Sequence, residues 1–277
     1  MASTYDDLER PPLNGDRLTR ALVTPGSLWC ELEILPEAPS TNAVLAERAR
    51  TDPRSGLVLI AEYQSAGRGR LDRTWTAPPR SGLTMSALVR PYDVAVPRWP
   101  WIALLTGLAV AAAVREAAGV LAELKWPNDV IVGDRKVAGV LVERVETPPY
   151  PPAAVIGIGL NVSLRPDELP VRTATSLAME HATTTDRSVL ARAVLRTLAG
   201  LLGEWQRHGG DAEHGLLRAY LQACSTIGRR VKVSLPDGGE LVGEAVGVDH
   251  MGHLIVDTAA GRRLLGVGDV VHLRSLT

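Results

Sequence analysis

Residues 57–75 read LVLIAEYQSAGRGRLDRTW, an apolar run followed directly by a loop rich in glycine and arginine. The continuous apolar run at the start predicts a strand that is buried on both faces. Glycine lets a backbone approach a ligand closely, and arginine binds carboxylate or phosphate oxygens through paired hydrogen bonds. We therefore predict that residues 64–75, the arginine loop, wrap a small molecule that carries carboxylate or phosphate charge.

Four side chains of the arginine loop carry this prediction. Arg68, Arg70 and Arg73 can pair with anionic oxygens, and Trp75 offers a face on which a flat base can stack. The same composition is also typical of a solvated basic loop or of a segment that touches RNA. Residues 64–81 lack hydrophobic periodicity, so the whole stretch is predicted to be a long loop.

Regular elements are predicted on both sides of the arginine loop. Apolar runs and alternating residues indicate strands, and 3.6-residue periodicity with N-cap candidates indicates helices. The predicted strands cover residues 31–36, 57–63, 83–90, 124–126, 130–132, 136–144 and 153–162, with a hairpin turn at residues 133–134. The predicted helices cover residues 16–23, 41–50, 101–118, 188–207 and 212–223.

The pattern changes near Ser225. Five short predicted strands follow within about 50 residues, separated by glycine turns, and they indicate a small β-barrel. These strands cover residues 230–235, 240–248, 254–257, 262–266 and 270–273. Charge and proline at the start of the chain indicate disorder. We therefore expect a disordered segment at 1–15, a main domain at 16–225 and a small β domain at 226–277.

Composition bounds the function. The 277 residues carry 30 basic and 31 acidic side chains, a net charge of −1, which argues against a protein that binds DNA or RNA through their phosphates. Two cysteines far apart in sequence favour a reducing compartment. The polar N-terminus lacks a secretory pattern, and the apolar stretch at 99–114 is too short to span a bilayer. We expect a cytoplasmic protein without a membrane segment.

A second motif reads Lys125-Trp126-Pro127-Asn128-Asp129. Proline cannot continue a ladder of strand hydrogen bonds, so the strand ends there. The side chains of Asn128 and Asp129 are then free to point into a site. A plain turn with no function explains the same residues, and turn statistics favour that alternative.

Two further features lie on neighbouring strands. Lys136 heads an otherwise apolar strand and could neutralise charge that develops on a phosphate, although a surface lysine is the usual alternative. Residues 157–162 read GIGLNV, which lacks the third glycine of a dinucleotide fingerprint. Its glycines, just before Asn161, indicate close approach of a ligand or of a neighbouring backbone. His250 and His253 have no further ligands in sequence, so no dedicated metal site is predicted.

The order of these motifs resembles the biotin protein ligases over residues 38–277. The series is Ser40-Thr41-Asn42, the arginine loop ending at Trp75, Lys125-Trp126-Pro127-Asn128-Asp129, Lys136-Val137-Ala138-Gly139 and Gly157-Ile158-Gly159-Leu160-Asn161. The resemblance implies an α+β fold: a mixed central sheet with packed helices, like class II aminoacyl-tRNA synthetases, plus a C-terminal SH3-like β-barrel.

The resemblance also implies a two-step reaction. Biotin and MgATP would give biotinyl-5′-AMP, and the biotinyl group would pass to a lysine of a biotin carboxyl carrier protein. It implies catalytic roles for Lys136, Arg68, Arg70 and Asp129, with Asp129 orienting the incoming amine or accepting its proton. It implies biotin contacts at Ser40, Thr41, Asn42, Gln64, Arg68, Gly69, Arg70, Lys136 and Gly139. Adenylate contacts would come from Arg73, Trp75, Asn128, Lys136 and Asn161.

Two departures from the family pattern stand out. Asp72 replaces a glycine of the loop and adds negative charge among the arginines, so weaker adenylate retention is expected. Only about 39 residues precede Ser40, so a monofunctional enzyme without DNA binding is expected. A homodimer is left open. A lipoate ligase of the same fold is the alternative, although its Arg-Arg and triple-glycine signature is missing. An RNA-binding module is the alternative of another class.

Overall fold

Two β-sheets organise the computed structural model of the chain, which describes residues 9–71, 73–235, 238–266 and 268–273. The first sheet has seven strands in the order β1-β2-β3-β7-β6-β5-β4. Its strands are β1 Glu31–Leu35, β2 Leu57–Ala61, β3 Gly82–Val89, β4 Glu123–Lys125, β5 Asp129–Val132, β6 Arg135–Val145 and β7 Ala153–Asn161. Strands β1 and β2 pair in parallel and the other pairs are antiparallel, so the prediction of a mixed sheet is confirmed.

Helices cover both faces of this sheet. They are α1 Gly15–Leu22, α2 Thr41–Ala49, α3 Pro100–Ala118, α4 Arg187–Arg207 and α5 Leu216–Ala223, with 3-10 turns at Val96–Arg98 and Pro166–Glu168. Every residue of β2 is buried because α2 packs on one face, against Leu57 and Leu59, and the cluster containing α3 and α4 covers Val58 and Ile60 on the other. The buried apolar strand expected at residues 57–63 is therefore confirmed over Leu57–Ala61, and the last two residues lie beyond its end.

Helix α3 is the apolar centre of the larger core cluster, which also includes α4 and one face of the first sheet. By length and composition, Val96–Ala118 could cross a membrane. However, 67% of its 18-residue apolar segment is buried inside the protein. Its side chains contact α4 and the sheet within one core cluster. This segment is therefore the core helix that the sequence predicts.

Two predicted boundaries differ in the structure. The helix expected at 212–223 begins only at Leu216, since Gly215 before it has a φ of 105°. The disorder expected at 1–15 does not hold for residues 9–15. There Arg10 forms a 2.5 Å ion pair with Glu168, and the Leu13 amide donates to the Glu62 carboxylate at 2.7 Å. The start of that expected segment, 1–8, lies outside the described residues.

The second sheet is antiparallel, in the order β11-β10-β9-β8-β12. Its strands are β8 Arg230–Ser234, β9 Glu240–Val248, β10 Leu254–Thr258, β11 Gly261–Leu265 and β12 Asp269–His272. The turn between β9 and β10 packs against α3 and against Trp126, which follows β4. There the Trp101 indole donates to the His250 carbonyl at 2.9 Å, and the Trp126 indole donates to the Gly252 carbonyl at 3.1 Å.

Candidate active site

A cavity of about 260 Å³ lies between the first sheet, the arginine loop and β12. Thirteen of the fourteen residues to which the resemblance assigns a role line it: Ser40, Thr41, Asn42, Gln64, Arg68, Gly69, Arg70, Arg73, Trp75, Asn128, Asp129, Lys136 and Gly139. The lining also includes Thr74, Met85, Lys125, Trp126, Pro127, Val140, Leu141, Gly157, Ile158, Gly159, Asp269, Val270 and Val271. Motifs that are far apart in sequence, from Ser40 to Gly159, therefore meet around one space.

The described residues of the arginine loop belong to no helix or strand, as the sequence predicts, but they have local hydrogen-bonded structure. The Trp75 amide donates to the Gly67 carbonyl at 2.9 Å, and the Gly69 amide donates to the Arg73 carbonyl at 2.6 Å. These bonds and a bridge between Arg68 and Thr74 form a short hairpin. A Cβ at Gly67 would lie 2.3 Å from the Trp75 carbonyl oxygen, so only glycine fits this close approach.

One end of the cavity is polar and uncharged. Ser40 caps α2, and the side chains after it form a hydrogen-bonded chain. The Thr41 amide donates to Gln64 Oε1 at 2.8 Å, and the hydroxyl of Ser86 lies 2.7 Å from Thr41 Oγ1 and 2.6 Å from Asn42 Oδ1. Ser86, which is buried on β3, was not singled out in the sequence because an isolated serine in an apolar strand gives no signal.

The other end of the cavity is cationic. Lys136 Nζ lies 2.6 Å from Asp129 Oδ1, and Arg70 donates to Asn128 Oδ1 at 3.1 Å. Burial lowers the pKa of Arg70, and the carboxylates of Asp269 and Asp129 oppose that shift. The guanidinium therefore remains charged in a partly dry site, where it attracts an anion more strongly than it would in water.

Trp75 packs between the two ends. A Cβ added to Gly159 would lie 2.4 Å from the nearest carbon of the ring, and a Cβ added to Gly139 would lie 3.3 Å from another ring carbon. Lys136 Nζ lies 5.8 Å from the ring centroid. The Trp75 indole N–H is buried without a hydrogen-bond partner in the described part of the chain. The two glycines that the sequence associates with close approach thus make room for an aromatic ring.

The C-terminal sheet contributes a wall that the sequence analysis missed. Asp269, Val270 and Val271 of β12 line the cavity, and the Asp269 carboxylate forms an ion pair with Arg73 of the arginine loop. Glu143 of β6, also missed, lies at the base of the same loop, 3.3 Å from Arg68. These contacts depend on tertiary packing, so no local sequence pattern reveals them.

Asn161 is the predicted site residue that does not line the cavity. Its side chain is buried, and its Nδ2 donates to the Thr175 carbonyl at 2.9 Å. The Thr175 amide in turn donates to the carbonyl of Lys136 at 2.8 Å. Asn161 therefore supports the backbone that carries Lys136. Asp72, whose effect on the loop was in question, lies outside the described residues.

The arrangement can activate a carboxylic acid. A neutral polar end suits an uncharged ring, and adjacent cations suit a carboxylate and a phosphate that must approach each other despite their like charges. The aromatic ring beside them suits a base. Fold and site together define a ligase of the class that couples ATP to carboxylate activation.

Comparison with known proteins agrees with this class. Residues 35–161 match the Biotin/lipoate A/B protein ligase family, and residues 226–273 match the Biotin protein ligase C terminal domain. The chain is 40% identical to the biotin–[acetyl-CoA-carboxylase] ligase of Mycobacterium tuberculosis, over 98% of this chain and 100% of that protein. It is 32% identical to the bifunctional ligase/repressor BirA of Escherichia coli, over 81% of this chain and 68% of that protein.

Solved structures agree as well. The biotin protein ligase of Aquifex aeolicus in complex with biotin and ATP superposes with a TM-score of 0.71 at 28% identity, covering 89% of this chain and 100% of that one. The Leishmania major enzyme in complex with biotinyl-5-AMP gives a TM-score of 0.59 at 26% identity, covering 89% and 98%. The chain belongs to the biotin protein ligase family, a family of ATP-dependent ligases. Membership replaces the alternative of an RNA-binding module.

Proposed function

We propose that this chain condenses biotin with MgATP to biotinyl-5′-AMP and then transfers the biotinyl group to one lysine of a biotin carboxyl carrier protein. The observation that carries the proposal is the single cavity with a neutral polar end, a cationic end and Trp75 beside them. Relatives named as biotin–[acetyl-CoA-carboxylase] ligases, and a relative solved with biotin and ATP, support the same substrates.

The neutral end is proposed to bind the ureido ring of biotin. Thr41, Asn42 and Gln64 offer hydroxyl and amide groups to the ring. Their orientations are fixed, because Thr41 donates to Gln64 and Asn42 accepts from the Ser86 hydroxyl. Fixed donors and acceptors lose little freedom when the ligand binds, so they favour one ring geometry. Ser40 and Gly69 line the same space and complete the proposed contacts.

The cationic end is proposed to stabilise the first transition state. A biotin carboxylate oxygen forms a bond to the α-phosphorus of ATP while the bond from that phosphorus to the pyrophosphate oxygen breaks. Negative charge on the α-phosphate rises, and Lys136, Arg68 and Arg70 offset it. Mg²⁺ is proposed to enter on the ATP phosphates, whose oxygens are the ligands that it prefers.

The nucleotide is proposed to lie beside Trp75. Its ring borders the cavity and can stack on a base, Asn128 lies next to Arg70, and Arg73 borders the same space. Asn161 would act indirectly, through the Thr175 segment that hydrogen-bonds the backbone of Lys136. This differs from the direct adenylate contact that the resemblance alone implies.

Asp129 is proposed to serve the transfer step. It holds Lys136 at 2.6 Å in this structure. A phosphate that takes Lys136 as its counter-ion frees the Asp129 carboxylate to orient the incoming lysine amine and accept its proton. The amine nitrogen then attacks the biotinyl carbonyl carbon, and AMP leaves with the electron pair of the broken C–O bond.

The setting is proposed from the same observations. Two unpaired cysteines, Cys30 and Cys224, suit a reducing cytoplasm. The domain division proposed is 16–225 for catalysis and 226–277 for the small β domain, and a homodimer is left open.

Biotin-dependent ATP–pyrophosphate exchange tests the proposal, with lipoate measured side by side. We expect exchange with biotin and at least about 100-fold less with lipoate, because buried amide and hydroxyl groups reject an analogue that leaves them unpaired. Equal or faster exchange with lipoate would establish the alternative substrate of the same fold. Biotinylation of a purified carrier domain, followed by mass spectrometry, tests the second step.

A further inference from the structure

Glu143 connects two residues of the candidate active site. It lies on β6, and its carboxylate accepts a 2.6 Å hydrogen bond from Asn42 Nδ2 and lies 3.3 Å from the Arg68 guanidinium. Strand β6 is an inner strand, paired with β5 on one side and β7 on the other. The backbone hydrogen bonds that pair these strands do not depend on the Glu143 side chain, so its two contacts need another explanation.

The contact with Asn42 fixes the orientation of a side-chain amide. An ionised carboxylate only accepts hydrogen bonds, so the Asn42 NH₂ group must face Glu143. The carbonyl oxygen then faces the Ser86 hydroxyl at 2.6 Å. Gly157 lies directly beneath, where a Cβ would come within 2.4 Å of that oxygen. Asn42 Nδ2 also donates to the Leu141 carbonyl at 3.3 Å, so four neighbours hold Asn42 in one orientation.

The contact with Arg68 differs in kind. The Arg68 side chain is 48% exposed and that of Glu143 is 30% exposed, and both border an outer hollow of about 550 Å³ beside the arginine loop. Water screens such a pair, so its contribution is small. Nevertheless it is the contact that ties the base of the loop to β6.

We propose that Glu143 is a positioning residue that presents the Asn42 amide to the ureido ring of biotin and tethers Arg68 at the base of the arginine loop. The inference rests on the proposed function, since it assigns Asn42 to biotin. It predicts that the two contacts affect different steps: the bond to Asn42 affects biotin binding, and the ion pair with Arg68 affects retention of the adenylate.

Two substitutions separate these effects. Glu143→Ala removes both contacts, and the loss of a hydrogen bond to a charged group raises KM for biotin by about tenfold or more. Glu143→Gln keeps an acceptor for Asn42 and loses the charge, so KM for biotin stays within about threefold of the wild type. In both variants kcat for pyrophosphate exchange and KM for ATP stay within about twofold, whereas biotinyl-5′-AMP dissociates about two- to fivefold faster.

Glu33→Ala is the matched control. Glu33 also pairs with an arginine, Arg48, at 2.6 Å and has a similarly exposed side chain, yet this partner, unlike Asn42 and Arg68, does not line the cavity. Its KM for biotin should equal that of the wild type. A Glu143→Ala variant with unchanged KM for biotin, or a Glu143→Gln variant no better than Glu143→Ala, would overturn the role of Glu143. Absence of biotin-dependent exchange in the wild type would instead contradict the proposed function.

Discussion

The arginine loop and residues 125–129 line the same cavity, but they are held in opposite ways. Trp126, at the centre of the second segment, is 1% exposed. Its indole donates to the Gly252 carbonyl and its amide to the Thr226 hydroxyl, both in the C-terminal part of the chain. The arginine loop is attached at its outer end through Arg73, which is 67% exposed and pairs with Asp269.

This difference indicates how the site divides its work. Residues that are buried and hydrogen-bonded across two sheets open rarely, whereas exposed ion pairs break and form easily. We infer that, in the proposed function, residues 125–129 with Lys136 form a fixed wall at which the adenylate is made. The arginine loop forms a movable wall that admits substrates and then encloses the reactive intermediate.

The largest effect is expected for Lys136→Ala. Removal of a preorganised cation from the phosphate site lowers biotin-dependent pyrophosphate exchange by about 100- to 1,000-fold. The fold should be retained, because Lys136 is partly exposed and its partner Asp129 can face water. Circular dichroism and the exchange assay check both parts.

The control for this variant is Lys232→Ala. Lys232 also pairs with a carboxylate at 2.7 Å, but on the C-terminal sheet, and it does not line the cavity. Its exchange activity should match the wild type. Near-normal exchange in Lys136→Ala would mean that the fixed wall does not carry the chemistry.

Gly159→Ala tests the floor on which Trp75 rests. The added methyl group would meet the Trp75 ring at 2.4 Å, so the ring must move from the fixed sheet. Loss of one stacking face raises KM for ATP by about tenfold. Gly203→Ala on α4 is the control, since its Cβ has no neighbour within 4 Å and alanine favours a helix. Unchanged KM for ATP in Gly159→Ala would remove Trp75 from the nucleotide site.

Trp126→Phe weakens the clamp, by which we mean the two hydrogen bonds from Trp126 that join residues 125–129 to the C-terminal part of the chain. The Gly252 carbonyl loses its donor, and we expect unfolding free energy to fall by about 1–3 kcal/mol beyond the loss of packing. Trp205→Phe isolates the packing part, because the Trp205 indole is equally buried and has no partner among the described residues. Denaturant unfolding of the two variants gives the comparison. Equal losses would show that the indole hydrogen bond adds nothing to the clamp.

His272 adds a pH dependence to the same clamp. The pKa of His272 is lowered from 6.5 to about 4, mainly by burial and also by the nearby charges of Lys125 and Arg229. The unfolded chain therefore binds a proton that the folded chain excludes between these values, so stability is full above pH 6.5 and falls as pH drops towards 4. With allowance for its partial exposure, the loss is about 1 kcal/mol.

Thermal unfolding between pH 4 and pH 8 measures this loss. His272→Gln keeps a polar group that can pair with Thr226, its present partner at 3.0 Å, and removes the titration. The stability of the variant relative to that of the wild type should therefore rise as pH falls from 6.5. A pH-independent difference would mean that His272 contributes only packing.

The sequence predicts some parts of this molecule well for a physical reason. The strand at 57–63, the core helix after Trp99 and the hairpin at 133–134 follow from local apolar patterns and turn residues, and the structure has all three. The cavity residues Ser40, Lys136 and Asn128 lie in motifs whose order resembles a known family. Local sequence patterns and the order of the motifs thus predict most of the residues that line the cavity.

Long-range contacts account for what the sequence does not reveal. Asp269 reaches Arg73 across 196 residues, and Glu143 reaches Asn42 across 101. Asn161 is correctly placed on β7 by its pattern, but only the structure shows that its amide faces Thr175 and not the cavity. Arg10 is drawn into order by Glu168, a partner that a charged N-terminal segment does not indicate.

A single-turnover experiment tests the two walls most directly, with the wild type, Lys136→Ala and Arg70→Gly measured together. Rapid quench gives the rate of biotinyl-5′-AMP formation, and chase with unlabelled adenylate gives its rate of release. We predict that Lys136→Ala slows formation by about 100-fold or more with release unchanged. Arg70→Gly should form the adenylate within about tenfold of the wild-type rate and release it about tenfold faster. Both variants changing the same rate by the same factor would contradict the division into a fixed and a movable wall.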